Sequence, residues 1–186
     1  MTRSLTSMGI VVNALWLSVI VAAGFTAIIT FKTVPDLEPA VAGYEALDQA
    51  TRSRIVAGLI TGPGFDAADL AQWILAPLLV VIMVAQRISN PASHRNILSW
   101  ISSLAVLAAV LIFMARCLWL NPNMSADLEI YRAAARAGDL EQVQATYESF
   151  DRLHGLAETL WSLVGLLLLV SLACMGAMIP ARSQAR

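Results

Sequence analysis

Four side chains stand where burial makes polarity expensive: Arg116, His154, Glu158 and Gln72 lie inside or at the edges of long apolar runs. Arg116 is the one base within such a run, ILSWISSLAVLAAVLIFMARCLWL, and Glu158 the one acid, in the run that opens LAETLW. A lone charge in lipid costs about 2.5 kcal/mol or more on insertion scales, so pairing Arg116 with Glu158 across two helices is the cheapest arrangement. His154 precedes Glu158 by one helical turn on roughly the same face. Gln72 lies two residues into a third run. The expectation is one polar cluster of Arg116, His154, Glu158 and Gln72. It has two readings: a clasp that sets helix register, or a site for a ligand, a proton or a metal, because intramembrane ionisable groups often mark pathways.

Sharper chemistries fit the sequence poorly. The two histidines, His94 and His154, are expected on opposite sides of a membrane, so they cannot grip one haem iron. Cys117 is expected near the outer end of the third run and Cys174 near the inner end of the fourth, too far apart for a disulfide, whose Cα atoms lie within about 7 Å. Quinone-linked thiol chemistry needs paired cysteines on one face, and both thiols read as packing groups. A zinc or copper site could draw only on Asp151, His154 and Glu158, so no metal and no cofactor is assigned. Neither a phosphate-binding glycine loop nor a nucleophile elbow is present. The chain is expected to be non-enzymatic.

Those side chains must be positioned by membrane-spanning elements. Of 186 residues, 58% are hydrophobic and only 13% charged, against about a quarter charged in soluble domains. Runs of about 20 apolar residues cross roughly 30 Å of hydrocarbon. Four fit: residues 9–31, 70–86, 97–120 and 156–179. They predict one all-α domain, a four-helix transmembrane bundle. The first run is too long for a signal peptide and lacks a small-x-small cleavage site before Lys32, so it reads as a retained helix.

Charge orders the connections. Loops 32–69 and 121–155 carry twelve of the thirteen acids against six bases. Arg3, Arg87, Arg95, Arg182 and Arg186 fall in the remaining segments with no acid. The positive-inside rule then gives cytoplasmic N- and C-termini and two outer loops. A bacterial cytoplasmic membrane is the expected location. The lipid bilayer is the expected partner and nucleic acid is not; a homo-oligomer or a membrane-protein partner stays open.

Local signals sharpen this frame. Gly24 with Ala22, Ala23 and Ala27 makes a small-residue face suited to close helix contact, and Asn13 suits a hydrogen bond to a neighbouring helix. Residues 41–60 predict one or two short surface helices, with Tyr44, Leu47, Ile55 and Leu59 on one side. Thr61-Gly62-Pro63-Gly64 predicts a turn, after which Asp66 and Asp69 suit the start of the next helix. Asn90-Pro91 reads as the start signal of the third span, and Asn121-Pro122 as its end. Ser125 is expected to cap a short helix closed by Gly138. Asp139 is expected to cap a final helix of about 41 residues, roughly 60 Å long. Along that helix Leu140, Val143, Tyr147, Phe150, His154, Ala157, Trp161 and Gly165 form a packing stripe. Trp73, Trp100 and Trp119 suit the headgroup levels.

The stretch MARCLWLNPNMSADL, followed by a polar helix and then FDRLHGL, resembles the transmembrane protein 205-like family of small four-span proteins, as do Gly24-Phe25 and the exit Phe31-Lys32-x-Val34-Pro35. The resemblance is specific over about 40 residues and implies the four-span topology. Where that family usually has a Ser and an Asn after the His-Gly, this chain has Ala157 and Trp161, and it adds Glu158. The resemblance also implies an association with drug or metal resistance. Transport of a metal ion or small cationic solute, drawn by the acidic outer loops, is the alternative to a clasp-built membrane protein.

Overall fold

A computed structural model describes residues 2–89 and 96–178, all helix, turn or irregular connection. Helix α1 spans Thr2–Thr33, α2 Gln49–Ser89, α3 Ile97–Ala115, α4 Asn121–Ala137 and α5 Leu140–Ala177. Val34–Leu37 form a 3-10 turn, and Arg116–Leu120 form a π-helical turn that joins α3 to α4. Four of the described helical stretches are long and apolar enough to cross a membrane. The chain is an all-α, multi-pass four-helix bundle. Helix α1 packs on α2 and α5, α3 packs on α5, and α2 meets α3 along a shorter strip.

The bundle core is built where the apolar periodicity turns inward. Trp16 and Ile20 of α1, Leu79 of α2, Val106 and Phe113 of α3, and Leu168 of α5 are almost fully buried and form one cluster. Phe113 holds Trp16 and Trp73 edge-on, with ring centroids 6.3 and 5.2 Å away. A second cluster lies beyond one end of the bundle. There Tyr44, Leu47, Ile55, Tyr131, Ala134, Ala135 and Val143 join the connection before α2 to α4 and the start of α5. This is the expected cap, and burial pushes the Tyr131 phenol above its usual range.

Both strongest loop signals turn out helical. Thr61–Gly64 make no turn; α2 runs unbroken through Pro63 and Pro77 for 41 residues. Each proline removes one backbone bond. Ending the helix there would leave several carbonyls and N–H groups without intrahelical partners, which costs more. Of the stretch 41–60 predicted as short surface helices, residues 49–60 are the first turns of α2 and residues 41–48 form turns; Tyr44, Leu47 and Ile55 are buried as expected while Leu59 is exposed. Asp66 and Asp69 consequently sit inside α2. Its real cap is Asp48, whose carboxylate accepts from the Thr51 N–H at 2.9 Å and the Thr51 hydroxyl at 2.8 Å.

Likewise Asn121-Pro122 does not end the third span. The wide π turn carries the chain through it, the Asn121 N–H reaching back to the Arg116 carbonyl. Ser125 lies within α4 rather than at its start. Gly138 ends α4 at φ 73°, a left-handed conformation that glycine adopts without strain. The Asp139 carboxylate accepts from the Gln142 N–H at 3.0 Å, as its spacing predicted. From there α5 continues for 38 residues with no break. All of its predicted stripe is buried or half-buried except Leu140. Asn90-Pro91 and His94 lie outside the described residues; the observed N-cap of α3 is Asn96, which accepts from the Leu98 N–H.

The α2 cap gives a pH prediction. Hydrogen bonds from Thr51 hold the Asp48 carboxyl below its usual value. A carboxyl with a depressed folded pKa adds stability above its unfolded value, about 4, and loses it as pH falls through the folded value. Amides of residues 49–52 are expected to lose hydrogen-exchange protection below about pH 4. In Asp48→Asn the same amides should start less protected and depend less on pH. Glu45, held down by the Gly43 N–H, contributes with the same sign.

Candidate functional site

The polar site forms at the cap end of the bundle, around Arg116. This residue is 5% exposed, and its guanidinium pairs with the carboxylate of Asp69 on α2. The other Asp69 oxygen accepts from Asn121 Nδ2 at 2.9 Å. Gln72, one turn along α2, donates its Nε2 to Asp69 at 3.1 Å. The Gln72 carbonyl accepts from Trp16 Nε1 at 3.0 Å, which gives the fully buried indole of α1 the acceptor it needs. Trp161 of α5 completes the enclosure, its ring 4.4 Å beneath the Arg116 guanidinium carbon. Its own N–H is bonded to the Ile20 carbonyl at 3.1 Å.

The π turn makes this convergence possible. In an α-helix, residues five apart point about 140° away from one another. The bulged turn brings positions 116 and 121 to the same side, so Arg116 and Asn121 share one carboxylate. Such turns often occur at functional sites. Asp69 thus accepts from three side chains, and its ion pair has the additional hydrogen bonds that a buried pair requires.

The expected cluster therefore divides. Gln72 and Arg116 do come together, through Asp69. Glu158 does not pair with Arg116; its side chain is 71% exposed and lies 3.3 Å from His154 Nε2. His154 in turn stacks on Phe150 with centroids 5.4 Å apart. On α5 it is the face of Trp161 that reaches Arg116, while Glu158 is turned outward. Asp69 is only 17% exposed and better placed to neutralise a buried guanidinium.

Asp69, Asn121, Trp16 and Trp161 were missed as members of the cluster. Asp69 had a usable signal: it lies one residue before an apolar run and three before Gln72, so it shares a helix face with Gln72 once α2 is continuous. Trp16 had another, since it falls inside its apolar run rather than at either end of it. Among the described residues, no group of three or more His, Cys, Asp and Glu side chains could hold a metal ion. The small-residue face of α1 is not covered by this chain around Gly24, and Ala22 and Ala23 instead line a lateral groove of about 340 Å³ with Thr61, Gly64, Ala68 and Ala71 of α2.

Compared with protein-family models, with curated proteins and with solved structures, the chain matches none of them at a significant level.

Proposed function

We propose that this chain is a non-enzymatic membrane protein whose Arg116–Asp69 cluster clasps the spans to one another and seats the helical cap upon them. The observation that carries this reading is the saturation of the cluster. The Asp69 carboxylate is engaged by Arg116, Gln72 and Asn121, and the guanidinium lies against Trp161. A cluster bonded this fully to its own chain holds helices in place more readily than it releases and rebinds a solute. The proposed setting is a bacterial cytoplasmic membrane, with both termini in the cytoplasm and the cap outside. A reporter fused at Ala137 is expected to read external, and a cytoplasmic reading would overturn that orientation.

A second reading keeps the sequence's alternative, handling of a metal ion or small cationic solute, and with it the resemblance to the transmembrane protein 205-like proteins. It is favoured by the exposed Glu158 beside His154, whose Nδ1 is buried without a partner at the junction of cap and bundle. Flux decides between the two. Purified protein in liposomes is expected to pass zinc or tetramethylammonium no faster than protein-free liposomes. Protein-dependent flux that Glu158→Gln or His154→Ala abolishes would replace the clasp with the transport reading.

A further inference from the structure

Toward the end of the bundle opposite the cap, a second polar group is shut inside the core. Asn13 of α1 and Ser171 of α5 are both 0% exposed, and Ser102 of α3 is 3% exposed. Asn13 Nδ2 donates to Ser171 Oγ at 2.9 Å. The two serine hydroxyls lie 2.9 Å apart, and either can be the donor. The Asn13 carbonyl oxygen is buried with no partner.

Count the capacity of these groups. The Asn13 amide has two N–H donors and one oxygen that can accept twice, and the serines engage one side of it. Reversing the amide does not remove the mismatch: the oxygen then meets Ser171 and the N–H groups are orphaned instead. Buried polar atoms as a rule have partners. What completes the group in either orientation must both donate and accept. An aliphatic contact does neither, and a hard cation fits only when the oxygen faces it, in a place with no anionic ligand to offset its dehydration.

We propose that Asn13, Ser102 and Ser171 hold a buried water molecule at the junction of α1, α3 and α5. An internal water needs two to four polar partners and room for about one water molecule, and these three side chains provide the partners. Toward that end Gln86 donates to the Leu5 carbonyl at 2.8 Å. It gets there because residue 9 is glycine: a Cβ at that position would lie 2.9 Å from the Gln86 amide nitrogen. Gly9 precedes Asn13 by one helical turn, so Gln86 lies against the face of α1 that Asn13 shares. The site involves none of the residues of the Arg116 clasp and does not depend on that reading.

Water-edited solid-state NMR of nitrogen-labelled protein in lipid bilayers tests the proposal. A water cross peak is expected at the Asn13 side-chain amide, assigned by its loss in Asn13→Leu. No transfer to that amide, under conditions where Asn123 shows it, would overturn the proposal. So would a shift of the Asn13 amide on replacing sodium by choline without any water contact, since the occupant would then be a cation. Difference infrared spectra in heavy-oxygen water provide a second measurement. An isotope-shifted O–H band present in wild type and lost in Asn13→Leu supports the site, and identical spectra overturn it.

Discussion

Asp69→Ala is expected to cost the bundle about 3–5 kcal/mol, the usual result of removing one partner of a buried ion pair. Folded domains have about 5–15 kcal/mol in total, so this one change should leave much of the chain unassembled. The reason is the charge left behind. Arg116 is 5% exposed, and without Asp69 it keeps the Trp161 face and the Cys117 sulfur, neither of them a carboxylate. Gln72 and Asn121 lose their acceptor as well. Replacing both members, as in Asp69→Leu with Arg116→Met, should recover most of the loss, because well-packed apolar groups often substitute for a buried pair at little cost. Glu158→Gln should stay within about 0.5 kcal/mol, as exposed substitutions usually do. Unfolding by denaturing detergent in mixed micelles measures all three. An Asp69→Ala chain as stable as wild type, or a Glu158→Gln chain as unstable as Asp69→Ala, would show that Arg116 is neutralised elsewhere.

That contrast marks how far the sequence could be read. Bilayer thickness fixes the length of a spanning helix whatever it packs against, so the four spans could be read from apolar runs. The unbroken α5 was equally plain, because nothing between Asp139 and Ala177 can stop a helix. The punctuation was misread, and for one physical reason. In water, Thr61–Gly64 and Asn121-Pro122 are turn signals, because solvent satisfies the backbone that a turn releases. A helix that continues keeps every backbone bond except the proline's own, and the helix runs through both. Treating Pro63 as a boundary put Asp69 in a loop, which left Glu158 as the only acid for Arg116. Apolar run length also says nothing about rotation around a helix. Whether Trp161 or Glu158 faced α3 was settled by packing. Asn121 could not be found at all from α-helical spacing, since five residues is the wrong interval until the turn widens.

Deleting one residue from the third span should therefore have opposite consequences depending on where it is done. Leu111 is in the regular part of α3 and 61% exposed, and Leu118 is in the π turn and 64% exposed. Both side chains are as dispensable as an apolar surface group can be. Removing Leu111 rotates everything before it by about 100° relative to everything after it. Ser102, Val106 and Ala109 would then leave the core, or Arg116 would leave Asp69, and loss of the folded bundle is the expected result. Removing Leu118 takes out the extra residue that the π turn holds. Arg116 and Asn121 become four apart, still on one face of an ordinary helix, so both can keep Asp69. The remaining cost is Pro122, now in a regular helix without its widened turn, which is worth about 3 kcal/mol. Adding Pro122→Ala should return most of it. Detergent-denaturation curves and far-ultraviolet circular dichroism of the three chains give the comparison. If the Leu118 deletion with Pro122→Ala is as damaging as the Leu111 deletion, the π turn does more than align Arg116 with Asn121 around Pro122. If it folds, the bulge is what the proline costs, and the clasp is what that widened turn preserves.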